Sequence, residues 1–204
     1  MPTETDFAPM LLQLALDRAN TAPPTPTGLR PLPLVPENRR LLPHVERSLH
    51  SVDAGLLAVL DDLANGKRRW PLLLSGPPGR GKSCAALALC DVVETAAFWT
   101  AEDLATFVVR RDPADVDAEF SYLGRKALAV LDELGTRERV SDLGYSVVKR
   151  FADIREQQAC RAAIYVSNVA PHELANMYDD RLASRLLCGE VFELKGTDRR
   201  KAGR

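Results

Sequence analysis

Residues 70–84 read WPLLLSGPPGRGKSC: an apolar run, a glycine- and proline-rich loop, and the opening of a helix. Gly76, Gly81, Lys82 and Ser83 fit the spacing G-x-x-x-x-G-K-[ST] of a phosphate-cradling loop. Gly79 and Gly81 lack a Cβ and can take positive φ, so backbone N–H groups can turn inward around an anion. Pro77 and Pro78 stiffen the loop and reduce the entropy lost when it orders. A helix opening near Lys82 adds its positive end, roughly +0.5 of a charge. The expected cradle runs Gly76, Pro77, Pro78, Gly79, Arg80, Gly81, Lys82, Ser83, Cys84, with Lys82 reaching the β- and γ-phosphates of ATP and Ser83 holding Mg²⁺. A plain glycine-proline turn with an incidental lysine is the competing reading. LLLSG before the loop and CAALALCDVV after it supply the strand and helix that the phosphate loop requires, and they decide for the nucleotide site.

The 204 residues allow one domain of ordinary size with a small appendage. A charged fraction of 27% beside 46% hydrophobic residues is that of a globular protein. A net charge of −1 argues against nucleic-acid binding by bulk charge and leaves a local basic face open. No basic start precedes a long apolar core at the N-terminus, and no apolar run approaches the roughly 18 residues of a membrane helix. Four scattered cysteines (Cys84, Cys90, Cys160, Cys188) without a C-x-x-C pair read as thiols in a reducing cytoplasm.

Residues 1–20 hold an amphipathic helix candidate from Phe7 to Asn20, either packed on its own domain or docking into a partner's groove. Residues 21–36, TAPPTPTGLRPLPLVP, read as an extended linker. The ATPase domain is assigned to residues 37–204. It opens with helices over Glu37–His50 and Val52–Asn65, and Lys67, Arg68 and Arg69 then read as a solvated turn rather than a binding patch. Downstream, strands are expected at 97–100, 127–131, 162–166 and 191–194. They alternate with helices at 83–94, 101–111, 115–123, 141–157, 171–177 and 180–187, with Leu143, Val147, Phe151 and Ile154 along one side of the long one. That alternation predicts an α/β fold with a mainly parallel sheet and helices on both faces.

The strand at 127–131 runs into Asp132-Glu133, two carboxylates at the edge where ligands sit in open α/β sheets. With Mg²⁺ present, Asp132 can hold the metal's water shell and Glu133 can polarise an attacking water. A capping or surface acid pair is the alternative. Asn168 ends the next strand, and its amide can bridge a γ-phosphate oxygen and that water, or simply serve a turn. Arg181 and Arg185 stand four apart on one helix face. They either form exposed salt bridges with Asp179, Asp180 or Glu190, or present an arginine to a neighbouring subunit's γ-phosphate. Arg199 and Arg200 taken alone are a basic tail.

Taken together, GPPGRGKS, LAVLDELG, IYVSN, DRLASR and GTDRR resemble, in order and spacing, the AAA+ ATPases of the bacterial helicase-loader (DnaC-type) and IstB-like transposition-helper group, over about Val52 to Arg200. The resemblance implies a P-loop three-layer sandwich with sheet order 5-1-4-3-2. It implies Asn168 as first sensor, Arg185 as arginine finger acting in trans, Arg181 as helper or alternative finger, and Arg200 as second sensor. It further implies a homo-oligomeric ring or spiral with single-stranded DNA along its inner side. The contacts would come from the region between the second and third strands, where Arg110, Arg111, Arg125 and Lys126 are candidates interrupted by Asp112, Asp115, Asp117 and Glu119. The helical lid of most AAA+ proteins is expected to be absent after Arg204. The N-terminal part lacks the cysteine pattern of zinc-bearing loaders.

Three functions compete on this reading. One is a loader that holds a replicative DNA helicase through the N-terminal helix and places it on single-stranded DNA. Another is a helper that marks target DNA and stimulates a transposase. The last is an adaptor that binds ATP as a switch with negligible hydrolysis; an intact Glu133 and Arg185 weigh against it. The small docking element on a flexible linker favours the loader.

Overall fold

The computed structural model describes residues 52–93, 95–135, 140–157 and 162–196. The expected N-terminal helix, the linker, the helix over Glu37–His50, Cys160 and the tail with Arg199 and Arg200 lie outside the described residues. The elements run α1 (Ala54–Ala64), β1 (Leu72–Ser75), α2 (Lys82–Val92), β2 (Ala96–Thr100), α3 (Ala101–Arg110) and α4 (Pro113–Arg125). They continue with β3 (Leu128–Leu134), α5 (Asp142–Gln157), β4 (Ala163–Ser167), α6 (Pro171–Met177), α7 (Asp180–Leu187) and β5 (Glu190–Glu193).

The five strands form one sheet in the order β2-β3-β4-β1-β5, the order expected, and every neighbouring pair is parallel. Alternation along β1 sends Leu72 and Leu74 to one face and Leu73 to the other. The first face buries Leu56, Leu60 and Leu63 of α1 with Ala85, Ala86 and Leu89 of α2. The second buries Leu104, Phe120, Val147, Phe151, Leu174 and Leu182 from the helices α3 to α7. Each fully buried side chain of this size contributes about 1.5–3 kcal/mol, so the two apolar layers fix the sheet between them and hold its edges in register.

Local chemistry sets the helix starts. The Asp53 carboxylate accepts from the N–H groups of Gly55 and Leu56 at the head of α1. Thr100 caps α3, whose first turn carries Glu102 and Asp103 against its positive end. Pro113 does not merely break a helix: it occupies the first position of α4, where a missing N–H costs nothing, so α4 is longer than the expected 115–123.

Two further expectations are corrected. β3 does not stop before the acids but carries Asp132 and Glu133 within it, because Leu134 pairs with Ser167 beyond a register shift. The buried side of α5 is Val147, Val148, Phe151, Ala152 and Arg155; Leu143 is among the exposed large apolar residues.

Candidate active site

Because all strands are parallel, the ends of β1, β3 and β4 reach one edge of the sheet, carrying the glycine-rich loop, the acid pair and Asn168. The loop has the backbone its glycines permit: φ is +127° at Gly76, +79° at Gly79 and +89° at Gly81. At Gly76 an added Cβ would fall 2.5 Å from the Leu194 carbonyl oxygen, so only glycine fits under the chain leaving β5. Gly81 stands at the head of α2 without a side-chain cap. Lys82 is buried, and its Nζ donates to the carbonyls of Gly76 at 2.6 Å and Pro77 at 2.9 Å, which draws the ammonium over the loop.

Asp132 is buried behind the loop beside Ser83 and accepts a hydrogen bond from the Glu133 N–H at 2.6 Å. Burial pushes its carboxyl above the usual range, opposed by Ser83, the Glu133 N–H and the charge of Lys82. Glu133 has φ +64°, a left-handed conformation that costs a residue with a Cβ about 1–3 kcal/mol. The irregularity turns its side chain outward: Glu133 is exposed between buried Asp132 and buried Leu134. Partial burial, then Asp132, Asp103 and Glu102, raise its carboxyl too. It borders a cleft of about 430 Å³ between α3 and α5, lined also by Val109, Arg110, Leu143 and Tyr178.

The edge is rich in unanswered polarity. Ser75 Oγ and the Nε and Nη1 of Arg80 are buried without a hydrogen-bond partner, and each such group costs about 1–3 kcal/mol if left so. Cationic donors in the loop, a hydroxyl beside a buried carboxylate and an exposed carboxylate next to them are the donor set that a polyphosphate with a divalent cation fits.

Asn168 is exposed directly after β4. Its strand lies between those of the loop and the acids, so it shares their edge. Ser167, which the sequence reading passed over, fixes it there: its hydroxyl donates to the Leu134 carbonyl at 2.9 Å and accepts from the Val169 N–H at 3.1 Å.

The two arginines of α7 part company. Arg181, in the first turn, is exposed and makes no ion pair among the described residues. Arg185, one turn on, is held by Asp153 and by Glu156 at 3.2 Å, both on α5 rather than the acids expected from sequence. It lies with Trp70, Pro71 and Ala163 at the opposite edge of the sheet from the loop. Arg200 lies outside the described residues. Arg110 and Arg111 flank a groove of about 610 Å³ floored by Trp99 and Phe107, and Lys126 stacks its Nζ 3.8 Å over Tyr122, which shares an adjacent groove with Arg111, Asp115 and Glu119. No described helix is long and apolar enough to cross a membrane.

No family model matches the sequence, and no curated protein does. Solved structures do match. The replication initiator DnaA bound to AMPPCP and single-stranded DNA superposes with a TM-score of 0.64 at 20% identity, over 78% of this chain and 52% of that one. DnaI matches with a TM-score of 0.60 at 17% identity, over 76% of this chain and 95% of that one. The DnaC helicase loader matches with a TM-score of 0.56 at 18% identity, over 71% and 90%. The chain thus spans about half the length of the DnaA structure and nearly all of the two others. With its five parallel strands in the order 2-3-4-1-5, it has the AAA+ fold that DnaC, DnaI and DnaA share.

Proposed function

We propose that this chain is a Mg²⁺-dependent ATPase that loads a replicative DNA helicase onto single-stranded DNA, working in the cytoplasm as a homo-oligomer. The observation that carries the ATPase reading is buried Asp132 held beside Ser83 and the buried Lys82 ammonium, with Glu133 turned outward next to them. The likeness to the DnaC helicase loader supports the loader reading.

Residues Gly76 to Cys84 hold the phosphates of ATP, and Ser83 and Asp132 hold Mg²⁺, which when bound neutralises charge across the β- and γ-phosphates. Lys82 exchanges its loop carbonyls for phosphate oxygens. Glu133 orients the attacking water and takes its proton, a role suited to a carboxyl raised above its usual range. Asn168 holds the same water from the neighbouring strand. The cation completing the site comes from the next subunit, where Arg181 and Arg185 are the candidates. Arg185 is the proposed finger and Arg181 the helper or alternative; within one subunit Arg185 pairs with Asp153 and Glu156, which it would exchange for the neighbour's phosphate, and Arg181 is exposed. Arg200 is the proposed second sensor, and residues 1–20 the helicase-docking segment.

The test is loading onto a closed single-stranded DNA circle, with helicase retention measured after removal of free protein. The expected result is retention that requires ATP and the intact chain and is lost with Lys82→Ala or with residues 1–20 removed. Equal retention without this chain would overturn the loader.

A further inference from the structure

The glycine-rich loop carries two cations, and the chain treats them differently. Lys82 has partners of its own: its Nζ donates to the Gly76 carbonyl at 2.6 Å and the Pro77 carbonyl at 2.9 Å. Arg80 is the reverse case. Its Nε and Nη1 are buried with no hydrogen-bond partner, although the residue as a whole is only part-buried. It stands between Gly79 and Gly81, both at positive φ, so the turns of the cradle fix its place, one residue before the Gly81 that heads α2. A guanidinium has five N–H donors and no acceptor, so only an acceptor answers it. Phosphate oxygens match its planar fork two at a time.

We propose that the Arg80 side chain is a second cationic ligand of the bound phosphate chain, acting within its own subunit beside Lys82 and in addition to the backbone N–H groups of the cradle. The inference rests on the nucleotide site of the proposed function and deepens it. The physical reason is preorganisation. Lys82 gives up two hydrogen bonds to reach a phosphate, whereas the buried nitrogens of Arg80 have none to give up. Those nitrogens are also out of water before a ligand arrives, so the free chain already carries much of the desolvation cost of the contact. A phosphate oxygen relieves that cost on binding. Arg80 therefore has opposite effects in the two states: it destabilises the free chain and strengthens its hold on the nucleotide.

The experiment measures melting temperature without nucleotide and ATP affinity by calorimetry, on the full-length chain and two variants. Arg80→Met keeps an apolar stem of similar length and removes the guanidinium. It should raise the melting temperature of the nucleotide-free chain by about 2–4 °C, since a buried unanswered group is gone. The same variant should bind ATP about 10–100-fold more weakly, the range for hydrogen bonds from a charged donor. Arg80→Lys keeps the charge without the fork and should recover part of that loss. A methionine variant that melts lower without nucleotide, or binds ATP as the parent does, overturns the role of Arg80 and leaves the nucleotide site standing. A lysine variant no tighter than the methionine one overturns the phosphate contact. No ATP binding by the parent chain overturns the nucleotide site, and this inference with it.

Discussion

At the amino-terminal edge of the sheet the guanidinium of Arg155, 2% exposed, donates to five backbone carbonyls, those of Leu123, Gly124, Lys126, Ala127 and Ala162. At the opposite edge, Ser75 Oγ and two nitrogens of Arg80 are buried with no partner, Glu133 sits at positive φ, and burial disfavours the charge of Asp132. Both edges bury polar atoms, and the difference lies in what answers them. Arg155 stitches the end of α4 to the starts of β3 and β4, so its two terminal nitrogens are spent inside the chain. The loop edge keeps buried polar atoms that no described group answers beside the exposed Glu133 carboxylate, the pattern expected of a site where a ligand supplies the missing partners rather than of a structural polar network.

Changes at the loop edge should affect chemistry and spare the fold, and changes at the other edge should do the reverse. Glu133→Gln is expected to reduce ATP turnover about 10²–10⁴-fold, the range for a lost general base, while nucleotide binding persists in a filter assay. Normal turnover would remove Glu133 from its role. Arg155→Met should lower unfolding stability by about 3–5 kcal/mol in urea, because several buried carbonyls lose a cationic donor at once. A variant that melts normally but binds no nucleotide would reverse the contrast between the edges. The smallest effect is expected from Asp132→Asn without Mg²⁺. A carboxyl raised above its usual range binds its proton more tightly in the folded state, so its contribution to stability is present at acid pH and lost as pH rises through the folded-state value. The asparagine cannot ionise. Its melting temperature should therefore exceed the parent's near neutral pH, and the gap should close on acidification.

Much of the loop edge was legible because its signals are local. A glycine at positive φ, a lysine opening a helix and an acid pair ending an apolar run each act within a few residues, so WPLLLSGPPGRGKSC and LAVLDEL carry them in plain view. The strand order followed from the resemblance those segments carry. Arg155 was not legible: a charged residue on a helix whose apolar spacing pointed to Leu143 and Ile154 gives no sign that five carbonyls from distant elements converge on it. The outward turn of Glu133 was equally hidden, since it depends on Leu134 pairing with Ser167, 33 residues away, rather than on the acids themselves.

Sequence by itself determined the glycine-rich loop between strand and helix, the paired acids, the alternation of strands and helices, and the presence of two arginines one turn apart on α7. Only the tertiary structure decided between those arginines as they stand in the subunit. Arg185 meets Asp153 and Glu156 because α5 and α7 pack together on one face of the sheet, and Arg181 makes no ion pair among the described residues. Backbone conformation and helix phase are set by neighbours along the chain. The partner of a long charged side chain is set by which elements the apolar core brings side by side.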